Sequence, residues 1–128
     1  MTDETRRYTF GRRLRLAHAR EFAAVYNARC RKALGPLVVH GRPNALDHPR
    51  LGLSVSRKVG TAVARNRIKR LLREAFRQLQ HDFPRGYDLV IVVRPHEALN
   101  LAAYQNLLHK AVRQIHQEWD QRDTSTAS

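Results

Sequence analysis

Two hydrophobic spacings in the middle of the chain predict a strand followed by a helix. Apolar and polar residues alternate strictly over residues 51–56, which predicts a β-strand with one apolar face in a core and one small, polar, open face. Over residues 68–79 the apolar side chains recur every three or four positions, which predicts an amphipathic helix. Thr61, next to Gly60, is placed to cap the start of this helix.

Other apolar patterns predict the elements on either side. The stripe of Phe22, Val25 and Tyr26 predicts a first helix that starts near residue 18 and ends at residue 28 or 29. Further elements are a strand at 37–42, a weaker edge strand at 29–33, a central strand at 87–94 and a last helix at 101–119. This order predicts an α+β fold, a two-layer sandwich in which helices pack on a small, mainly antiparallel sheet.

The length of 128 residues is that of one compact domain, so we expect a single domain over residues 1–128. Residues 1–13 are polar and cationic and are expected to be flexible, and residues 121–128 are expected to form a disordered tail. Cys30 is the single cysteine, which excludes an internal disulfide and fits a reducing cytoplasm. No apolar run reaches the roughly 20 residues that span a bilayer, so we expect a cytoplasmic protein without membrane contact.

The net charge of +13 is concentrated in part of the chain. Residues 50–77 hold nine Lys and Arg against one acid, and residues 1–35 hold nine against three. From residue 78 onward five basic groups face six acids, so this last part is expected to be scaffold. Such a distribution is suited to binding a polyanion.

The basic helix carries its charge in an unusual order. A solvated helix face ordinarily carries both positive and negative side chains, and opposite charges four residues apart stabilise the helix. Here like charges follow one another at every fourth position, at Arg65, Lys69, Arg73 and Arg77. Their repulsion destabilises the free protein and is relieved by phosphates, so we expect nucleic-acid binding.

A polar strand face next to the first helix favours RNA over DNA. Ser54 and Ser56 would line a shallow groove with Lys58 at its end, which suits a single strand. Phe22 and Tyr26 would form its aromatic wall, and core packing is the alternative for each. A DNA repressor would need mixed base-reading side chains and an all-helical unit, and neither is indicated.

The residues indicate no catalytic centre within the polypeptide. The seven histidines lack metal-ligand spacing, the acids form no recognisable pair, and Cys30 has no adjacent base. We therefore expect this chain to supply no catalytic group, to hold no metal and to bind no organic cofactor. A protein-only nuclease is disfavoured for want of metal-binding carboxylates.

The motif around the basic helix resembles the signature of the bacterial ribonuclease P protein subunit. It consists of residues 50–60, RLGLSVSRKVG, followed by residues 62–74, AVARNRIKRLLRE. The likeness extends to Arg13-Leu14, to Glu21-Phe22 through Val25-Tyr26 in the first helix and to residues 88–92 in the later strand, so it covers most of the chain.

The resemblance implies an α-β-β-β-α-β-α order with a left-handed βαβ crossover, against the usual right-handed preference. It also implies an accessory role in an endonuclease whose RNA subunit, with Mg²⁺ that the RNA holds, removes the 5′ leader from precursor tRNA. The implied partners are this catalytic RNA and precursor tRNA, with no obligatory protein partner. A ribosomal or other structural RNA-binding protein is the alternative.

Two sets of contact residues follow from the resemblance by position. Contacts with the RNA subunit are implied for Arg65, Asn66, Arg67, Lys69, Arg70 and Arg73. Leader contacts are implied for Phe22, Tyr26, Val38, His40, Ser54, Ser56 and Lys58. His40 departs from the family, which often has tyrosine there and would stack more strongly. Helical angles separate Arg67 from Arg65, so Arg67 would contact another RNA segment or bond within the protein.

Overall fold

The computed structural model describes residues 11–127. The helices are α1 (Ala19–Asn27), α2 (Ala62–Leu79) and α3 (Leu101–Ala127), and the strands are β1 (Arg31–Leu34), β2 (Leu37–Pro43), β3 (Arg50–Val55) and β4 (Tyr87–Val93). Short 3₁₀ turns at Arg12–Leu14 and Arg57–Val59 lead into α1 and α2. Thr61 caps α2 as predicted, since its hydroxyl accepts a hydrogen bond from the Ala64 amide at 3.1 Å.

The four strands form one mixed sheet in the order β1-β2-β4-β3. The pairs β1/β2 and β2/β4 are antiparallel, whereas β3 and β4 are parallel and are joined through α2. The α+β class and the mainly antiparallel sheet are therefore confirmed. The hand of the crossover through α2 stays an expectation from the family.

Helices cover both faces of this sheet. The main core lies between one face and the pair α2 and α3, and it includes Leu51, Leu89 and Ile91. On the opposite face α1 packs across β2 and β4, where Val25 joins Val90 in a smaller apolar cluster. Because β4 is buried on both faces, its continuous apolar run follows from its central place in the sheet.

The alternation predicted for β3 is confirmed. Leu51, Leu53 and Val55 all pack against the main core. Gly52 and its neighbour Ser54 lie on the face that carries α1. A Cβ atom on Gly52 would come within 2.5 Å of the Phe22 ring, so glycine is what allows α1 to approach the strand.

Two predicted boundaries are wrong at the ends of the chain. Residues 12–14 form a turn rather than a flexible segment, because Leu14 is buried and anchors them; residues 1–10 lie outside the described part. The last helix continues to Ala127 instead of ending at Trp119. Arg122 stabilises the extension, because it stacks on Trp119 with 4.3 Å to the ring centroid and donates hydrogen bonds to two backbone carbonyls after α1.

An ionic cluster joins α1 to the sheet. Arg50 donates two hydrogen bonds to the buried carboxylate of Asp88, at 2.9 and 2.8 Å, and a third to Glu21 on α1, at 2.9 Å. Asn44 donates another to Asp88 at 2.9 Å. The charge of Arg50 is therefore neutralised by carboxylates of the protein itself, although Arg50 belongs to the basic segment of residues 50–77.

We predict that Arg50→Met lowers the free energy of unfolding by about 3 kcal/mol, because it leaves the Asp88 carboxylate buried with its countercharge removed. Urea denaturation of wild type and variant measures this difference. Arg113→Met, an exposed change of the same kind on α3, is the control and should change stability by less than about 0.5 kcal/mol. An equally small effect at Arg50 would contradict the structural role.

Glu21 gives the fold a pH-dependent contribution. Its carboxylate accepts hydrogen bonds from the Ala17 and His18 amides, at 2.9 and 3.0 Å, and these bonds, followed by the charge of Arg50, lower its pKa below 4.5. A lowered folded-state pKa means that this stabilisation is present above the unfolded pKa and is lost as pH falls through the folded one.

We therefore predict that Glu21→Gln lowers stability by about 1 kcal/mol at pH 7, because glutamine keeps an acceptor oxygen but loses the charge that strengthens the amide hydrogen bonds and pairs with Arg50. The difference between wild type and variant should shrink progressively as pH falls below 4.5, because protonation removes the same interaction from wild type. Urea titrations at a series of pH values measure it. A difference that stays constant with pH would argue against this assignment.

Candidate nucleic-acid interface

The cationic row on α2 has the arrangement that the sequence predicts. Arg65, Lys69 and Arg73 form no ion pair with any residue that the structure describes, and Arg65 donates only to the Gly60 carbonyl, at 3.3 Å. Arg77 differs, because Glu74 neutralises it through a hydrogen bond of 2.9 Å and an ion pair. The first turn of α2 carries no acid, so the positive end of the helix dipole adds to this field.

The other three residues implied to contact the RNA subunit lie exposed on α2. Asn66 and Arg70 border the row and, together with Val63 and Arg73, line an open recess of about 410 Å³. Arg67 lies on another flank, near Tyr104 of α3: burial raises the pKa of Tyr104, and the nearby charge of Arg67 opposes that rise. The predicted separation of Arg67 from Arg65 is consistent with this position.

A second recess joins the basic helix to the face that carries α1. It has a volume of about 190 Å³, and Arg15, Lys69 and Arg73 line it together with Phe22. None of the described residues that line it is acidic. Partial burial lowers the pKa of Arg73, and the charge of Arg15 lowers it further, as expected where cations crowd together.

Arg15 is the interface residue that our sequence reasoning did not single out. It forms an isolated parallel bridge with Leu51, and the following amide, of Leu16, donates to the Leu51 carbonyl at 3.0 Å. The segment thus lies along the outer edge of β3. The alternation of Leu14 and Leu16 with arginines is the signal that could have identified it.

The strand residues predicted to line the groove lie on the α1 face of the sheet, in two neighbouring rows across the strands. In the first row, α1 covers His40, Val90 and Gly52. The second row lies beside α1 and contains Val38, Val92 and Ser54. Val38 is only 4% exposed, so it would shape the floor of the groove more than touch a ligand.

The two aromatic residues of α1 have different environments. Phe22 is half-buried, packs on Gly52 and contacts the smaller apolar cluster, as the core-packing alternative requires. Tyr26 is 38% exposed and meets the ring of His40 edge to face, with 4.8 Å between the centroids. Tyr26 therefore offers the more accessible ring.

The polar members of the groove are neutral except at its end. Burial, followed by the charge of Arg31, lowers the pKa of His40, so its imidazole is uncharged at neutral pH. Ser54 is half-buried, whereas Ser56 and Lys58 are exposed where the chain leaves β3. The arrangement offers hydrogen bonds and ring contacts along the groove and a positive charge at one end.

The side chains that could act as a nucleophile or bind a metal instead make contacts within the folded protein. Burial raises the pKa of the Cys30 thiol to about 11, so it is not a nucleophile at neutral pH. His116 lies 2.8 Å from the Tyr87 hydroxyl and 3.4 Å from Asp120. Among residues 11–127, no three His, Cys, Asp or Glu side chains are grouped as metal ligands would be. No helix in that range is long and apolar enough to cross a membrane.

Comparison with known proteins gives consistent matches. The family model Ribonuclease P matches residues 10–116. The ribonuclease P protein component of Methylococcus capsulatus is 46% identical over 105 residues, which are 80% of this chain and 81% of that protein. The corresponding protein of Azotobacter vinelandii is 49% identical over 87 residues, 66% of each chain. The solved RNase P protein from Thermotoga maritima superposes with a TM-score of 0.67 at 32% identity, covering 75% of this chain and 92% of that one.

Proposed function

Because the chain belongs to the ribonuclease P protein family, we propose that it binds the catalytic RNA through α2 and the 5′ leader of precursor tRNA through the groove beside α1. Family membership makes it a protein component of ribonuclease P, which implies a part in tRNA processing and a partnership with the ribonuclease P RNA. The assignment of RNA segments to its surfaces is our proposal.

The observation that carries this proposal is the row of Arg65, Lys69 and Arg73, which has no countercharge among the described residues. Like charges four residues apart on one helix repel each other, and a ribose-phosphate backbone laid along them would remove the repulsion. We assign this row and the exposed Asn66, Arg67 and Arg70 to contacts with the RNA subunit. Arg67 would contact a separate segment of that RNA.

The groove would hold the leader as a single strand. Its width is set by α1, whose exposed ring of Tyr26 can stack on a base while Ser54 and the neutral His40 offer hydrogen bonds. Lys58 and Ser56 would contact the backbone where β3 ends. Phe22 and Val38 would mainly shape the surface, because Phe22 packs on Gly52 and Val38 is buried.

The contribution of this chain to the reaction would be positional. Holding the leader beside the active site of the RNA raises the effective concentration of the scissile bond and favours precursor over mature tRNA, which lacks the leader. We assign the Mg²⁺ of the reaction to the RNA, because the described interface is cationic and would repel a divalent cation. Neutralisation of phosphates by α2 would reduce repulsion between the two RNAs.

The decisive experiment is reconstitution of the protein with transcribed ribonuclease P RNA at low Mg²⁺. Leader removal from precursor tRNA is measured with and without the polypeptide. We expect the protein to accelerate cleavage at low Mg²⁺ and to have a smaller effect at high Mg²⁺. Binding of the RNA without any effect on cleavage would instead support a purely structural RNA-binding protein.

We predict that replacing Arg65, Lys69 and Arg73 together by Ala weakens assembly with the catalytic RNA and flattens its salt dependence. Each lost phosphate contact should make the slope of log K against log salt less negative by about 0.7 to 0.9, so the triple variant should change by about two units or more. Titrations over a series of KCl concentrations measure the slope.

The matched control replaces Arg85, Lys110 and Arg113, three exposed cations away from α2 and the groove, by Ala. It removes the same net charge and should leave the slope almost unchanged. Equal slopes for wild type and the interface variant would contradict the role of α2.

We predict that Tyr26→Ala reduces the preference for precursor over mature tRNA by about tenfold, because base stacking on an aromatic ring contributes about 1–3 kcal/mol. Binding of both tRNAs to the assembled holoenzyme measures the preference. Tyr26→Phe retains the ring and should behave like wild type. Assembly with the catalytic RNA should not change in either variant, and a preference unaffected by Tyr26→Ala would remove this residue from the leader site.

A further inference from the structure

Val63 is an apolar side chain in an unexpected place. It lies in the first turn of α2 and is 77% exposed, whereas the other exposed large apolar side chains among the described residues, Tyr26 and Leu46, are 38% and 41% exposed. Val63 belongs to neither apolar cluster of the fold. Its neighbours in the open recess of about 410 Å³ are Asn66, Arg70 and Arg73.

The fold gives no reason for valine at this position. A β-branched residue has a lower helix propensity than alanine, because its side chain loses rotamer freedom against the preceding turn. An exposed apolar side chain also gains nothing from burial in the free protein. Alanine would therefore suit an isolated α2 better, which points to contact of the two methyl groups with another molecule.

The surroundings of Val63 identify the chemistry of that molecule. Arg70 and Arg73 form no ion pair with a described residue, so they can neutralise phosphates. Asn66 carries both a donor and an acceptor and can bond to the edge of a base. The methyl groups of Val63 would be covered by a flat apolar surface, and the exposed face of a base is such a surface.

We propose that this recess binds one unstacked nucleotide of the RNA partner, with its base against Val63, its base edge at Asn66 and the adjoining phosphates at Arg70 and Arg73. The seven helical steps from Val63 to Arg70 correspond to a rise of about 10.5 Å, which leaves room for a base at Val63 and its phosphates at Arg70 and Arg73. A nucleotide stacked within a duplex cannot present its base face, so the partner must extrude a base here. The inference rests on the proposed docking of α2 on RNA and adds a base-specific contact to it.

The test uses Val63→Ala and Val63→Thr in the full chain, assembled with the catalytic RNA. Val63→Thr retains the β-branched shape and replaces a methyl group by a hydroxyl. Both variants should bind the RNA about fivefold more weakly, since each loses part of an apolar contact. The slope of log K against log salt should stay that of wild type, because an apolar contact releases no counterions.

The free protein should respond in the opposite direction. Val63→Ala should raise its melting temperature by about 1–2 °C, because alanine is the better helix former. A loss of RNA binding can then not be explained by loss of folding. Leu46→Ala, an exposed apolar truncation in the loop between β2 and β3, is the control and should leave RNA affinity unchanged.

Chemical probing of the RNA identifies the base. One unpaired base should be protected by wild-type protein and become reactive with Val63→Ala. Wild-type affinity in both Val63 variants, or a flatter salt slope, would overturn the proposed contact. Arg70→Ala separates this inference from the function on which it rests: it should weaken binding and make the slope less negative by about one unit. If Arg70→Ala has no effect, the docking of α2 on RNA itself fails.

Discussion

The placement of α1 on the sheet depends on the ionic cluster around Asp88. A carboxylate that is 2% exposed needs a countercharge, and Arg50 supplies it with two hydrogen bonds. The same guanidinium reaches Glu21 in the first turn of α1, so the burial of one charge on β4 fixes a helix that would otherwise have few contacts. Gly52 completes the fit, because only a residue without a Cβ atom allows the Phe22 ring to come so close.

The groove beside α1 follows from this placement. The helix covers the row that contains His40 and Gly52 and leaves the next row, with Ser54, open along its side. The ring of Tyr26 is thereby held at the edge of the open row, against His40. The position of this row is thus set by backbone packing and by buried charge.

The few acids of the chain are distributed so that one helix is left cationic. Glu21 and Asp88 neutralise Arg50, Glu74 neutralises Arg77, and Glu118 pairs with Lys32 and Arg122. The pairs of Arg50 and Lys32 join different elements, whereas those of Arg77 and Arg122 lie within one helix. The first three turns of α2 have no such partner among the described residues, so the excess charge becomes a surface with one sign, adjoining both the recess with Arg15 and the recess with Val63.

Local patterns in the sequence determined most elements, because the neighbours that decide a helix or strand lie two to four residues away. They correctly predicted the cap at Thr61, the buried stripe of α2 and the two faces of β3. The charge row and the family motif likewise depend on neighbouring residues alone. Long-range contacts decided the rest: the role of Arg50 depends on Asp88, and the length of α3 depends on carbonyls more than 90 residues from Arg122. The burial of Val38, the recess at Arg15 and the exposure of Val63 also required the tertiary structure, because sequence spacing does not specify which elements pack together.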